Sequence, residues 1–131
     1  MEKKIIRSDE EWRKLLSDEE YRIMRKAGTE APFTGLYNLH FENGVYTCKG
    51  CQTPLFNSES KFNSHCGWPS FDAEIADGIV EEKLDMTHGM VRSEILCSVC
   101  GSHLGHVFPD GPTETGLRYC VNSASIKFEK G

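Results

Sequence analysis

The sequence of 131 residues contains no long apolar run; its uninterrupted hydrophobic stretches are only a few residues long. Because a membrane-spanning helix needs about 20 consecutive apolar residues, the sequence predicts no transmembrane segment. The amino-terminal stretch Met1–Ser8 also lacks the apolar core of a secretory signal. These two absences predict a cytoplasmic protein, in a compartment where cysteines stay reduced.

Positive charge is also in short supply: 15 lysines and arginines stand against 20 aspartates and glutamates, which gives a net charge of −5. A general nucleic-acid binder is normally basic, so this balance opposes that class of protein. Long repeats, low-complexity segments and linkers are absent as well. The length suits one domain, which we predict to span residues 1–131 with its core at about 8–128, in a monomer.

Two short helices are predicted within residues 8–28. Ser8 and Ser17 are each followed three residues later by a glutamate, which is the capping-box pattern of a helix amino terminus. Gly28 is predicted to stop the second helix. We expect the two helices to cover one side of a sheet.

After the helices, glycine and proline separate short strand-like runs, which predicts a mainly β, antiparallel domain. The turn signal Asn43-Gly44 predicts a hairpin between Tyr37–Glu42 and Val45–Cys48. The other predicted strands are Ile79–Leu84, Val91–Leu96, His103–Val107, Leu117–Val121 and Ile126–Phe128.

Two Cys-x-x-Cys pairs are the strongest local signal: Cys48 with Cys51, and Cys97 with Cys100. A gap of two residues lets both thiolates of a pair bind one tetrahedral ion, and two pairs complete a four-cysteine zinc site. The long stretch between the pairs predicts that the ion joins two distant hairpins of one domain. With four sulfur ligands the site has no open position, so we predict a structural role for one zinc ion.

Two alternatives to this ligand set exist. A dithiol redox motif opens a helix in a βαβ unit, and neither pair lies in that context. Cys97, Cys100, His103 and His106 form a second possible ligand set by their spacing. Since the four thiols already satisfy zinc, we favour the four-cysteine site, which leaves both histidines available for other chemistry.

Cys66 and Cys120 remain, and the residues alone leave their roles open. They are either a nucleophile with its resolving partner or two unrelated core thiols. In a strand, Arg118, Cys120 and Asn122 share one face, so that a cation and an amide flank the thiol. A neighbouring guanidinium favours the thiolate, although a lone thiol is more often a buried structural one.

Two further stretches carry residues that suit a ligand pocket. Trp68 follows Cys66 in a loop, where it is either a core anchor or a flat apolar wall for a small ligand. His103 and His106 precede Phe108 in a glycine-rich stretch, and each imidazole alone is more often structural than catalytic. A non-catalytic binding module with a zinc site and an aromatic pocket would account for the cysteine pairs, Trp68 and Phe108, but not for the polar surroundings of Cys66 and Cys120.

Five segments in this order resemble the B-type methionine sulfoxide reductases, which reduce the R epimer of methionine sulfoxide. The segments are the pair at Cys48 and Cys51, Cys66-Gly67-Trp68-Pro69-Ser70-Phe71, the pair at Cys97 and Cys100, His103-Leu104-Gly105-His106-Val107-Phe108, and Arg118-Tyr119-Cys120-Val121-Asn122-Ser123-Ala124. The resemblance covers roughly Ser8 to Phe128. It implies two antiparallel β-sheets with peripheral helices, held together by a structural four-cysteine zinc site.

The resemblance also implies a role for each site residue. Cys120 is the nucleophile, Cys66 resolves the intermediate, Trp68 packs on the ε-methyl group, Phe108 lines the pocket, Arg118 stabilises the thiolate, and His103, His106 and Asn122 bind the sulfoxide oxygen, largely through water. The implied reaction leaves a sulfenic acid on Cys120, which Cys66 converts to a disulfide that thioredoxin reduces. The implied substrate is mainly protein-bound methionine-R-sulfoxide, in the repair of proteins after oxidative stress.

Overall fold

Two short helices precede nine β-strands in the computed structural model, which describes residues 5–131. The prediction that no secretory signal is present concerns Met1–Ser8, and residues 1–4 of that stretch lie outside the described residues. The helices are α1 (Asp9–Leu15) and α2 (Asp18–Arg25). The strands are β1 (Gly44–Cys48), β2 (Pro54–Asn57), β3 (Lys61–Phe62), β4 (Ser70–Phe71), β5 (Val80–Asp85), β6 (Arg92–Cys97), β7 (His103–Phe108), β8 (Arg118–Val121) and β9 (Ile126–Lys130).

Both helices begin with the predicted capping boxes. The hydroxyls of Ser8 and Ser17 each accept a hydrogen bond from the backbone N–H three residues later. The predicted stop of α2 is shifted slightly: α2 ends at Arg25, and Ala27, with a φ of 54°, takes the left-handed conformation one residue before Gly28. Within the described part of the chain, neither helix is long and apolar enough to cross a membrane.

The strands form two antiparallel sheets, which confirms the predicted fold class. One sheet has three strands in the order β2-β1-β9, and the other has six in the order β3-β4-β8-β7-β6-β5. Apolar side chains from both sheets pack between them. Phe56 of β2 stacks on Phe71 of β4 with ring centroids 4.4 Å apart, and Tyr119 of β8 also packs against Phe56, at 5.6 Å.

The predicted hairpin at Asn43-Gly44 is wrong, because residues 37–39 form a turn and residues 40–42 have no regular secondary structure. Strand β1 pairs with β2 on one side and with the carboxy-terminal β9 on the other. Tyr37 and His40 instead pack their rings edge-on against Tyr46 of β1. The edge that the hairpin would need is therefore already occupied by β9, and the segment covers an aromatic cluster.

The six-stranded sheet brings the chemically interesting residues into register. His106 of β7 lies opposite Cys120 of β8, and Ser70 of β4 lies opposite Cys120 on the other side. Tyr119 and Val121 of β8 are buried, whereas Arg118 and Cys120 are half-buried. The alternation predicted for this strand is therefore present, and its other face opens toward a pocket.

Candidate active site and metal centre

The two Cys-x-x-Cys pairs lie in turns that connect neighbouring strands. Cys48 ends β1 and Cys97 ends β6, and the turns that follow carry Cys51 and Cys100. All four sulfur atoms lie within 4.8 Å of one another. The prediction that two distant hairpins meet at one cluster is therefore confirmed.

The spacing of these sulfurs fits a tetrahedral metal ion. Cys48 Sγ lies 3.7 Å from Cys100 Sγ, and Cys51 Sγ lies 3.6 Å from Cys97 Sγ. A zinc–sulfur distance of about 2.3 Å places tetrahedral sulfurs about 3.8 Å apart. Among residues 5–131 these cysteines form the cluster able to hold a metal ion, and His103 of the alternative ligand set lies outside it.

Two arginines that contact one tryptophan connect the amino-terminal region to both cysteine-bearing turns. The guanidinium groups of Arg7 and Arg25 lie 4.8 Å and 4.4 Å from the ring centre of Trp12. Arg7 donates a hydrogen bond to the carbonyl oxygen of Gly50 in the first turn, at 2.7 Å. Arg25 donates to the carbonyl oxygen of Cys100 in the second turn, at 3.2 Å. We call the side chains of Arg7, Trp12 and Arg25 the Trp12 clamp.

The two remaining cysteines are neighbours in space, with Cys66 Sγ 3.5 Å from Cys120 Sγ. Cys66 lies in the loop between β3 and β4, flanked by His65 and Gly67, which both have left-handed backbone conformations with φ of 63° and 96°. The hydroxyl of Ser64 donates to Cys66 Sγ at 2.8 Å. Since a disulfide bond is about 2.05 Å long, only a small approach separates this pair from a covalent bond.

This contact shifts the pKa values of the two thiols in opposite directions. The contact with Cys120, with help from the hydroxyls of Ser64 and Ser70, lowers the pKa of Cys66 to about 4. The same contact, together with burial, raises the pKa of Cys120, and the guanidinium of Arg118 opposes that rise without reversing it. Movement of Cys66 out of this contact removes the main cause that raises the pKa of Cys120 and so favours its thiolate.

The thiol pair opens into a pocket of about 230 Å³. Seven of the eight residues predicted to be catalytic or to bind substrate line it: Cys66, Trp68, His106, Phe108, Arg118, Cys120 and Asn122. The eighth, His103, lines a neighbouring groove that shares His106 with this pocket. A small apolar group with one polar atom fits such a lining.

Each histidine is held by a carboxylate. His106 Nε2 lies 2.8 Å from Asp85 Oδ2, and His103 Nδ1 lies 2.6 Å from Glu94 Oε2. The two rings are 5.6 Å apart, edge to face. Burial lowers the pKa of His103 although Glu94 acts in the opposite direction. His106 is thus the imidazole that borders the pocket, and His103 lies deeper.

Arg118 and Asn122 are both fixed by other groups. Arg118 makes a two-point contact with the carboxylate of Asp110, at 2.9 Å and 3.2 Å, and its guanidinium lies 4.4 Å from the ring centre of Phe108. The amide oxygen of Asn122 accepts the backbone N–H of Glu30 at 3.0 Å, and its amide nitrogen donates to the carbonyl oxygen of Leu104 at 3.2 Å. One N–H of this amide stays available toward the pocket.

Sequence reasoning missed Asp85 and Glu94, whose carboxylates hold the histidines, and Glu30, whose backbone holds two residues of the pocket wall. Glu94 lies on β6 directly opposite His106 on β7, so pairing of these two strands was the signal that could have found it. Asp85 and Glu30 make contacts across 21 and 92 residues of sequence, and no local pattern marks them.

Comparison with known proteins gives one consistent result. Residues 16–130 match the family model described as a SelR domain. The peptide methionine sulfoxide reductase MsrB of Herminiimonas arsenicoxydans is 56% identical over 129 residues, which cover 98% of this chain and 94% of that protein. The MsrB proteins of Chromohalobacter salexigens and Leptospira interrogans are 54% and 53% identical, over 100% and 99% of this chain and 99% of each relative.

Proposed function

The chain belongs to the SelR-domain family of B-type peptide methionine sulfoxide reductases, and on that premise we propose that it reduces the R epimer of methionine sulfoxide, mainly in oxidised proteins. The observation that carries the proposal is the 3.5 Å contact between Cys66 and Cys120 at a pocket bordered by Trp68 and His106. A binding module would have no use for two thiols in contact.

The ε-methyl group of the substrate packs against the indole of Trp68, and the sulfoxide oxygen turns toward His106. Cys120 attacks the substrate sulfur as a thiolate, while His106 donates a proton to the oxygen directly or through water. The sulfur–oxygen bond breaks and the protonated oxygen leaves as water, which leaves Cys120 bonded to the substrate sulfur. Water then attacks Cys120 Sγ, the sulfur–sulfur bond breaks with its electron pair on methionine, and Cys120 is left as a sulfenic acid. In the S epimer the oxygen and the methyl group exchange places, so that the oxygen would meet the apolar indole.

Cys66 completes the cycle. Its thiolate attacks the sulfenic sulfur of Cys120, water leaves, and a disulfide forms between the two residues. The hydroxyls of Ser64 and Ser70, which lower the pKa of Cys66 independently of the Cys120 thiol, favour the thiolate that this step needs. A thioredoxin-type dithiol then reduces the disulfide by thiol exchange, which returns the enzyme to its starting state.

The four clustered cysteines hold one structural zinc ion in this proposal. Their sulfur spacing supports zinc, and the cluster has no open position for a substrate. The ion would join the two strand-connecting turns and take no part in the redox steps. A cytoplasmic location, a monomeric state and a single catalytic domain across residues 1–131 belong to the same proposal.

The test uses each epimer of a blocked methionine sulfoxide with dithiothreitol or thioredoxin as reductant. We expect the R epimer to be reduced and the S epimer to be spared. Cys120→Ser abolishes methionine formation, whereas Cys66→Ser releases about one methionine per protein and stops with thioredoxin, because the sulfenic acid is not resolved. A Cys66→Ser protein that turned over normally with thioredoxin would contradict the resolving role.

An oxidised peptide and free methionine sulfoxide, compared at equal concentration, test the preference for protein-bound substrate. We expect the larger kcat/KM for the peptide. A larger value for the free amino acid would overturn that part of the proposal without affecting the chemistry assigned to Cys120.

A further inference from the structure

Glu30 contacts two of the residues that line the substrate pocket, Trp68 and Asn122. Its backbone N–H donates to the amide oxygen of Asn122, and its carbonyl oxygen accepts the indole N–H of Trp68, both at 3.0 Å. A single residue outside the pocket lining therefore fixes the ring of Trp68 and the amide of Asn122. Nothing in the sequence near Trp68 or Asn122 supplies these two partners.

The side chain of Glu30 fixes its own backbone in place. Its carboxylate oxygen Oε1 accepts the backbone N–H of Ala124 at 3.0 Å. Ala124 lies in the short turn directly after Cys120, Val121 and Asn122. This one hydrogen bond ties the segment that holds Trp68 to the turn that follows the nucleophile.

The surroundings of the Glu30 carboxylate indicate that this side chain destabilises the folded protein. Glu30 is 8% exposed, and among residues 5–131 its second oxygen, Oε2, is buried without a hydrogen-bond partner. A side chain at Gly35 would meet Oε2 at 2.1 Å, so the chain packs closely around the group. Burying a carboxylate with one partner costs free energy, which an apolar residue of similar size would avoid.

The charge of Glu30 also works against the chemistry of the nucleophile. After the contact with Cys66 and burial, the Glu30 carboxylate further raises the pKa of Cys120. A group that activates a thiolate by its charge is a cation, which lowers the pKa of the thiol. The benefit of Glu30 must therefore come from its reach and its hydrogen bonds.

We propose that Glu30 is a positioning residue, whose side-chain hydrogen bond to the turn after Cys120 holds Trp68 and Asn122 in the orientation that binds methionine sulfoxide. The inference rests on the proposed function, because it assigns the methyl-binding wall to Trp68. It adds a residue that touches neither the substrate nor the reacting sulfur atoms.

Two substitutions distinguish the effect of the length of the Glu30 side chain from the effect of its charge. Glu30→Gln keeps the length of the side chain and an oxygen that accepts the Ala124 N–H, but removes the charge. Glu30→Asp keeps the charge and is one methylene too short for that contact. Zinc content and circular dichroism establish that each variant is folded.

We expect Glu30→Gln to keep KM for methionine-R-sulfoxide within about twofold of the parent, and Glu30→Asp to raise it about tenfold with a small change in kcat, as loss of one positioning hydrogen bond predicts. The reverse order would mean that charge matters and not reach, and it would overturn the proposal. Equal KM values in all three proteins would overturn it as well. If Glu30→Asp did not fold, a tenfold rise of KM in Glu30→Gln would overturn the proposal, and an unchanged KM would support it.

A second readout does not depend on turnover. Trp12 and Trp68 are the two tryptophans of the chain, so a Trp12→Phe background, shown to be folded by zinc content and circular dichroism, leaves Trp68 as the single tryptophan fluorophore. In that background we expect acrylamide to quench Trp68 more strongly in Glu30→Asp than in Glu30→Gln, which should match the parent. Should the parent fail to reduce the R epimer, the proposed function falls, whereas the quenching comparison still supports or refutes the positioning by Glu30.

Discussion

Gly105 offers the sharpest test of how the sheet positions the site. It lies on β7 opposite Val121 of β8, next to the position where His106 faces Cys120. A methyl group added at Gly105 would lie 2.0 Å from the carbonyl oxygen of Cys120, and 3.1 Å from the Cα of Val121. Both atoms belong to the backbone, so no flexible side chain can move aside.

The consequence of Gly105→Ala follows from these distances. The gap must open from 2.0 Å to the 3.4 Å of an ordinary contact, so β7 has to move away from β8 by more than 1 Å at the site. Overpacking of this kind costs about 1–3 kcal/mol of the free energy of unfolding. A displacement of about 1 Å between His106 and Cys120 is expected to lower kcat/KM about 100-fold.

Urea unfolding gives the change in stability, and kcat/KM for methionine-R-sulfoxide, measured on the folded fraction, gives the change in catalysis. Gly116→Ala is the matched control, because a methyl group there has no atom within 4 Å and only the left-handed φ of 68° is strained. That strain costs about 1–2 kcal/mol, with kcat/KM expected within about twofold. If Gly105→Ala lost no more stability and no more kcat/KM than Gly116→Ala, the close packing of β7 on β8 would not be what positions His106.

Three further predictions concern the metal, the core and a buried lysine. Cys48→Ser is expected to lose bound zinc and thermal stability together, as measured by metal analysis and Tm; a stable, zinc-replete variant would contradict the ligand assignment. Phe71→Ala removes a ring that stacks on Phe56 and should lower the free energy of unfolding by about 3–5 kcal/mol, whereas the exposed Leu39→Ala should change it by less than about 0.5 kcal/mol. Burial lowers the pKa of Lys61 to about 8, so that between about pH 8 and 10 the unfolded chain binds more protons than the folded one and the free energy of unfolding rises with pH. Lys61→Gln should remove this contribution of the lysine to the rise. If the free energy of unfolding, measured by urea titration, rose with pH equally in the variant and the parent, the lysine would be solvated in the folded protein.

Features set by neighbours in sequence could be predicted from the sequence. The capping boxes at Ser8 and Ser17 place both helices, since the bonds involved span three residues. Alternation of buried and exposed side chains identifies β8 and places Cys120 on its less buried face. The cysteine pairs indicate the cluster because two residues between ligands suit a tetrahedral ion.

Features set by distant parts of the chain could not be predicted in this way. The strand expected at Tyr37–Glu42 is absent because β9, near the other end of the chain, pairs with β1 in its place. Strands β3 and β4 are two residues long, too short to show any period. The contact between Cys66 and Cys120, and the carboxylates that hold His103 and His106, likewise require the folded sheet.

The Trp12 clamp predicts that the helices and the cysteine cluster open as one cooperative unit. Arg7 reaches one cysteine turn and Arg25 the other, with the indole of Trp12 in contact with both guanidinium groups. Displacement of Arg7 and Arg25 therefore removes a hydrogen bond from each turn, and opening of the two turns removes the acceptors of both arginines. In hydrogen exchange, the amides of α2 and of the turn at residues 97–101 are expected to exchange at a shared rate, and a chelator should accelerate both together.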